Sequence, residues 1–136
     1  MQRVPADPAD VVLRFFRYLD DQDYSRIPTL FAEDGVWHRR GVGNQGPDQV
    51  RQSLADIPPV MPTVHLVTNL QINRVSSNEV HAVFYVTALR SSPGTNSPPP
   101  WPMEMPLLVT LYKAHLVTVA DQWRIKAIRN DPIFRR

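Results

Sequence analysis

The chain has 136 residues, of which 43% are hydrophobic and 21% are charged, and its formal net charge is +2. This length fits a single domain over residues 1–136, and the hydrophobic share excludes an intrinsically disordered chain. The absence of cysteine excludes disulfide bonds, thiolate nucleophiles and cysteine zinc sites, and two excess positive charges are too few to attract nucleic acid.

The first predicted element is an amphipathic helix that begins at Asp7-Pro8, a capping residue followed by a proline suited to the first turn. Its apolar stripe consists of Val12, Phe15, Phe16 and Leu19. Asp20 projects from this stripe near the helix end, where a carboxylate opposes the helix dipole. Either the helix frays before Asp20, which then caps the next segment with Asp23, or Asp20 is buried against a partner that offsets its lost hydration.

The region after this helix contains short elements. Ile27, Leu30 and Phe31 predict a short second helix, and a turn at residues 34–35 leads into a strand over residues 36–40. Residues 41–46 then match the pattern G-x-G-x-x-G.

This glycine pattern does not predict a nucleotide site. Pro47 removes one of the helix N-terminal amides that a pyrophosphate uses, and about 20 residues after Gly41 stands Met61 rather than an acidic residue. We therefore expect a flexible loop over the sheet edge. A third helix opens at Pro47, turns Val50, Leu54 and Ile57 inward, and ends at residues 58–59, which are both proline.

From residue 63 onward the apolar residues alternate with a period of two, which is typical of strands. The predicted strands cover residues 63–75, 79–90, 107–119 and 122–130, with hairpin turns at 76–78 and 120–121. Six of the 14 prolines lie between Pro93 and Pro106, so this segment is expected to be a connection, because proline lacks the amide donor that strands need. Helices followed by strands predict an α+β domain in which three N-terminal helices pack in a curved, mostly antiparallel sheet.

The histidines stand at positions 38, 65, 81 and 115, and none is paired with another at metal-ligand spacing. We therefore expect no metal site, and His81 and His115 are most simply exposed. His65 has two possible placements. Strict alternation places His65 on the solvent face, whereas a β-bulge at residues 68–69 would place it on the inner face with Leu70 and Ile72. Periodicity alone favours solvent.

An inward His65 would supply the partner that a buried Asp20 requires. The carboxylate would orient the imidazole and stabilise its protonated form, so the pair would act as a general base.

Several segments carry a family resemblance. They are Tyr18-Leu19-Asp20 with Asp23-Tyr24, the run LFAEDGVW at 30–37, GPDQV at 46–50, HLVTNL at 65–70, Leu111-Tyr112, and DQWRI at 121–125. Together they resemble SnoaL-like proteins of the nuclear transport factor 2-like superfamily, in the branch that contains scytalone dehydratase and hexachlorocyclohexane dehydrochlorinase. The resemblance implies a cone-shaped α+β barrel and a catalytic dyad of His65 and Asp20, and it favours the bulge that turns His65 inward.

The chain also departs from that branch. Leu19 stands where the dehydratases often have tyrosine, and the penultimate strand has Ala114, which cannot replace a polar catalytic group, with His115 one step out of phase. No obvious second acid remains for a leaving hydroxyl. Tyr85 and Tyr112 are candidates for that acid, and Arg39 and Arg129 are candidates for holding an anion, although sheet packing and surface charge are simpler roles for these four residues.

The leading hypothesis is a cofactor-independent lyase or isomerase that acts on a small, apolar, cyclic molecule. His65 removes a proton with help from Asp20, and Asn69 with a tyrosine (Tyr85 or Tyr112) orients the substrate. The expected cavity lining consists of Phe16, Trp37, Val67 and Phe84, with Trp101 on a stiff proline-rich flap over residues 93–106 near the mouth.

Two alternatives remain at this stage. One is a non-catalytic domain that binds a small hydrophobic ligand or serves in assembly, and the other is a small subunit resembling the β subunit of ring-hydroxylating dioxygenases. Leu108, Leu116 and Ile128, interpreted as outward-facing, indicate a homodimer or homotrimer formed through the sheet. Residues 1–10 show no targeting signal and the apolar run at 106–112 is too short to span a membrane, so we expect a cytoplasmic protein without membrane or nucleic-acid partners.

Overall fold

The computed structural model describes residues 7–39, 41–57, 61–92, 97–103, 106 and 108–136. Within these residues there are two α-helices, two short 3-10 turns and six strands. The helices are α1 (Pro8–Asp20) and α2 (Gly46–Leu54), and the strands are β1 (Phe31–Arg39), β2 (Val42–Gln45), β3 (Thr63–Ser76), β4 (Glu79–Arg90), β5 (Leu108–Val119) and β6 (Gln122–Arg135). The expected helix end at residues 58–59, and residues 93–96, 104–105 and 107 of the proline-rich connection and its flanking strand, lie outside the described part.

Helix α1 begins and ends where its local chemistry predicts. The Asp7 side chain accepts a hydrogen bond from the backbone amide of Ala9 at 3.0 Å, and Pro8 occupies the first turn. Val12, Phe15 and Phe16 are buried, as the stripe predicts. The helix continues through Asp20, so the alternative in which it frays before this residue is wrong.

The predicted short second helix is present only in part, as a 3-10 helix and not as an α-helix. Two 3-10 turns, Tyr24–Arg26 and Pro28–Leu30, occupy this region, and Phe31 already belongs to β1. A proline at position 28 has no amide to donate, and the chain makes single tight turns instead, with Ile27 N donating to Tyr24 O at 3.3 Å and Leu30 N to Ile27 O at 3.0 Å.

The six strands form one mixed sheet in the order β2-β1-β6-β5-β4-β3. Strand β1 is parallel to β6, and every other neighbouring pair is antiparallel. The glycine-rich segment is therefore not a flexible loop, because its residues 42–45 form β2, which pairs with β1. Pro47 lies in the first turn of α2, as predicted, and Val50 and Leu54 are buried there.

Irregular pairing in β6 changes which side chains face the core. Leu116 pairs with Ile125 while the preceding His115 pairs with Ala127, which leaves Lys126 as an extra residue. Ile125 and Ile128 are both fully buried as a result, and Leu116 is fully buried as well. The prediction that Leu116 and Ile128 face outward is therefore wrong, whereas Leu108 is partly buried at the start of β5.

The core lies between the inner face of the sheet and the two helices. Its aromatic part centres on Phe15, whose ring makes edge contacts with Phe16, Phe31 and Trp37 at centroid distances of 5.0, 6.1 and 5.4 Å. Among the described residues, no helix has the length and apolar character needed to cross a membrane.

Candidate active site

Asp20, the last residue of α1, receives three hydrogen bonds from the start of β3. Thr63 Oγ1 donates to Oδ1 at 3.0 Å, and the backbone amide of His65 donates to Oδ2 at 2.8 Å. The ring Nδ1 of His65 lies 2.6 Å from Oδ1. Because a carboxylate only accepts, Nδ1 is the protonated nitrogen of this pair. These donors compensate the carboxylate for its position at the negative end of the helix dipole.

A β-bulge in β3 turns His65 toward the interior. Thr68 pairs with Tyr85 and Gln71 pairs with Val83, so residues 69–70 together oppose one position of β4. Asn69 adopts a φ of 54°, a left-handed conformation that asparagine tolerates better than most residues. With the bulge, the side chains of His65 and Asp20 are only 19% and 17% exposed. The inward alternative predicted from the sequence is confirmed, and the solvent-facing one is wrong.

An aromatic group of the core lies beside the His65 ring. The Phe16 ring lies 5.5 Å from it, and the same Phe16 ring makes edge contacts with Phe84 at 5.9 Å and Tyr112 at 5.1 Å. Phe84 and Tyr112 stack on each other at 5.4 Å. Val67, two residues after His65, packs against the same core. The structure thus brings Phe16, Val67 and Phe84, three of the predicted lining residues, together with Tyr112 in the part of the core next to His65.

The hydroxyl groups of two tyrosines at this site have raised pKa values. Burial raises the pKa of Tyr112 to about 12, although the positive charge of Arg39 opposes the increase. Burial also raises the pKa of Tyr24, again against the Arg39 charge, and the Asp20 carboxylate adds to the increase. Both hydroxyls therefore stay protonated at neutral pH and can donate hydrogen bonds.

Arg39 is an inner-face residue that the sequence interpretation treated as surface charge. Its Nη1 donates to the backbone oxygen of Ser53 at 2.8 Å and to Ser53 Oγ at 3.1 Å, while its guanidinium carbon lies 5.3 Å from the Trp37 ring centroid. A sequence signal existed, because the two-residue alternation that directs Trp37 inward places Arg39 on the same face. Trp37 itself is only 6% exposed and packs in the core beside Phe15.

Asn69 and Tyr85 lie elsewhere. Both line a groove of about 330 Å³ that also includes Gln71 and Leu111, on the other face of the sheet. Alternation in β4 explains this position, since Phe84 is 1% exposed and points inward while its neighbour Tyr85 is 40% exposed. The expectation that these two residues orient a substrate beside His65 is therefore corrected, and the positive φ gives Asn69 a structural role instead. Arg129 is also exposed, in a second groove on the outer face.

The described part of the proline-rich connection, residues 97–103, is fastened to the end of β4. Ser91 Oγ donates to the backbone oxygen of Pro102 at 2.6 Å, and Ser91 N donates to Pro62 O at 3.1 Å, just before β3 begins. Trp101 is 38% exposed, and its Nε1 donates to Ser97 O at 2.8 Å. The segment is held at the end of the sheet where Asp20 meets β3, and its role as a flap remains a prediction.

The structure also shows where the two departures from the family pattern in β5 lie, namely Ala114 and His115. Ala114 faces the core and is 2% exposed, while His115 faces outward and hydrogen-bonds to Glu79. His115 therefore stands on the opposite face of the sheet from His65. Strand pairing places Glu79, His81 and His115 together on that face, a set of potential metal ligands that the spacing along the sequence did not reveal.

Comparison with protein families and solved structures identifies the fold. The SnoaL-like domain family matches residues 7–129. Comparison with curated protein sequences gave no significant match.

Three solved structures illustrate the similarity. A Novosphingobium aromaticivorans protein assigned as a scytalone dehydratase is 22% identical, with a TM-score of 0.74 over 91% of this chain and 80% of that one. The type-3 hexachlorocyclohexane dehydrochlorinase of Novosphingobium barchaimii is 17% identical, with a TM-score of 0.76 over 94% and 85% of the two chains. ActVI-ORFA of Streptomyces coelicolor is 16% identical, with a TM-score of 0.75 over 91% and 92%. The TM-scores show that the fold is shared, and at identities below 25% the comparison shows nothing beyond the fold.

Proposed function

Because this chain belongs to the SnoaL-like domain family, we propose that it is a cofactor-independent lyase or isomerase in which His65, oriented by Asp20, removes a proton from a small cyclic substrate. The observation that carries the proposal is the 2.6 Å contact between His65 Nδ1 and Asp20 Oδ1. It holds the ring in one orientation and makes Nε2 the basic nitrogen.

The proton transfer follows from this arrangement. Nε2 takes a proton from a substrate carbon or hydroxyl, and the imidazolium that forms is stabilised by the Asp20 carboxylate. The electron pair of the broken bond enters a new double bond. In an elimination, a leaving group departs from the neighbouring carbon with its own bonding pair, and His65 then releases the proton to solvent. In a double-bond migration, a substrate carbonyl oxygen takes up the displaced π pair until His65 returns the proton to a different carbon.

Charge that develops on the substrate has two sources of stabilisation. Arg39 provides a fixed positive charge near Tyr24 and Tyr112, and both phenols keep their protons at neutral pH. A phenol with a pKa of about 12 keeps its proton and can donate a hydrogen bond, but it transfers that proton poorly at pH 7. The site therefore favours double-bond migration, or loss of a leaving group that needs no protonation, over dehydration.

The surroundings of His65 set the class of substrate. Val67 and Tyr112 are partly buried apolar side chains, with Phe16 and Phe84 fully buried behind them, and an aromatic surface favours a flat or cyclic molecule. We therefore propose small cyclic ketones, or cyclic compounds with a halide leaving group, as the first substrates to test.

The test is proton exchange and turnover on a panel of such compounds in deuterated water, followed by proton NMR. His65→Gln and Asp20→Asn should each reduce the rate at least about 100-fold, which is the range expected for loss of a general base. His38→Gln is the matched control, because His38 is an exposed histidine on β1, and it should keep the wild-type rate.

Two results would contradict the proposal. Full turnover by His65→Gln would mean that another group removes the proton. Tight binding of panel compounds by the wild-type protein without exchange or turnover would favour the alternative of a non-catalytic ligand-binding domain.

A further inference from the structure

A cluster of metal-ligating side chains lies on the outer face of the sheet, opposite the face that carries the dyad. Glu79 and His81 are two residues apart in β4 and so point to the same side, and His81 pairs directly with His115 of β5. The ligand atoms of all three side chains lie within 4.8 Å of one another. We propose that Glu79, His81 and His115 form a zinc-binding site.

The donor set and its geometry fit zinc. Two imidazoles and one carboxylate are common zinc ligands, with bond lengths of about 2.0–2.2 Å, which separate neighbouring ligand atoms by about 3.4 Å at tetrahedral angles. His115 Nε2 and Glu79 Oε2 are 2.5 Å apart, and the His81 and His115 ring centroids are 4.6 Å apart at an interplanar angle of 20°. The ligand atoms lie within 4.8 Å of one another, so side-chain rotations would close them to zinc-binding distance, with zinc replacing the hydrogen bond between Glu79 and His115.

The cluster is accessible and rests on rigid backbone. His81 and His115 line a groove of about 300 Å³ that continues past His38, Lys113 and Arg129. Strands β4 and β5 pair without interruption from Glu79–Val117 to Ala88–Leu108, which fixes the Cα positions of the three ligands.

Three protein ligands leave one tetrahedral position, which we expect to face this groove because His81 and His115 both line it. Lys113 and Arg129 make an anionic or solvent-derived fourth ligand the favoured one, because their positive charges are unfavourable to a cation alone but favourable to a metal-bound anion. The site belongs to this chain's own surface and is separate from His65, which faces inward.

Titration calorimetry with zinc chloride tests the proposal on tag-free protein treated with EDTA and then freed of chelator. The wild-type chain should bind one zinc ion, and magnesium chloride should give no signal, because magnesium prefers oxygen ligands. His81→Ala and Glu79→Gln should each weaken zinc binding at least about tenfold, since loss of even an outer-shell partner costs that much. His81 is exposed, so its replacement should leave the circular dichroism spectrum unchanged.

Two control variants make the result specific. His38→Ala removes a histidine of the same groove that is not in the cluster, and Asp20→Asn alters the dyad on the opposite face. Both should bind zinc as the wild type does. Absence of zinc binding by the wild type, or equal binding by folded His81→Ala, would overturn the proposal. A loss of zinc binding in His38→Ala equal to that in His81→Ala would also overturn it.

Discussion

One residue, Asn69, decides on which face of β3 the proposed base lies. A strand without the extra residue would direct His65 away from Asp20, because one step of register exchanges the two faces. The sequence contained both possibilities, and the alternation of apolar residues alone favoured the one that proved wrong. The hydrogen-bonding need of Asp20 was the better guide, since a carboxylate in the buried stripe of a helix requires a partner.

Tyr112 gives the protein a measurable response to alkaline pH. Its pKa is about 12 in the folded chain against an ordinary value of 10.0, so above pH 10 the unfolded chain loses this proton first and unfolding is favoured. The stability contributed by Tyr112 should be complete below pH 10 and should fall by up to about 3 kcal/mol as the pH rises through 12, at about 1.4 kcal/mol for each pKa unit.

Urea unfolding of the wild type and of Tyr112→Phe at pH 9 and pH 11 measures this effect. The free energy of unfolding of the wild type should fall relative to that of the variant between these two values. A difference between the two proteins that stays constant from pH 9 to pH 11 would show that Tyr112 titrates with an ordinary pKa.

Tyr24 and the three ligands of the proposed zinc site could not be predicted from the sequence, because only the folded chain brings them next to their partners. Tyr24 lies in a 3-10 turn with no periodic pattern, and its proximity to Asp20 depends on how the chain folds back after α1. Glu79, His81 and His115 show no metal-ligand spacing along the sequence, because the spacing arises from the pairing of β4 with β5.

At the scale of elements, the sequence predicted the regular pieces well and the irregular ones poorly. Helix α1 and strands β3, β4 and β5 have nearly the predicted bounds, because each has a long apolar pattern and clear turn residues. Strand β2 was missed because its four residues, one of them glycine and two of them amides, carry no strand pattern, and only pairing with β1 makes them a strand. Pairing with β5 likewise extends β6 to Arg135, beyond its apolar segment.

Gly35 allows β1 to approach β6 closely, and its replacement tests this contact. A Cβ atom at Gly35 would collide with the backbone oxygen of Ile125 and would lie 3.0 Å from that of Ala32, so backbone must move to accept it. Gly35→Ala should therefore destabilise the protein by about 1–3 kcal/mol, as overpacking does elsewhere.

Gly43→Ala is the matched control, because a Cβ there would meet only side-chain atoms at 3.5–3.6 Å, which is ordinary contact. Urea unfolding curves of the two variants provide the measurement. Equal stability of Gly35→Ala and Gly43→Ala would mean that β1 and β6 do not approach as closely as described.

At the scale of the whole molecule, the outer face of the sheet carries exposed apolar side chains that differ from those expected. Leu66 is 46% exposed, Tyr85 40% and Phe134 68%, whereas Leu116 and Ile128 are buried in the core. We propose that copies of the chain associate, as a homodimer or homotrimer, through the part of this face that carries Leu66, Tyr85 and Phe134, which leaves the groove at His81 and His115 open.

Light scattering coupled to size-exclusion chromatography should give a mass of two or three times 15.6 kDa for the wild type. The double variant Leu66→Asp, Tyr85→Asp should shift the mass toward 15.6 kDa, because it places charges on the proposed contact. His38→Gln should leave the mass unchanged. A wild-type mass of 15.6 kDa at all concentrations would contradict association.

The parallel pairing of β1 with β6 has a consequence for how the chain folds as it is synthesised. Phe31 finds its neighbour Ile125 only after more than ninety further residues have been made, so β1 has one strand partner, β2, throughout most of translation. The hairpins β3–β4 and β5–β6 can form soon after their own residues have been synthesised. The pairing of β1 with β6 can form only after the last strand has been made. A nascent chain therefore carries an open sheet edge for most of its synthesis, and the contacts of β6 with β1 are the long-range, slowly formed step that joins the two parts of the sheet.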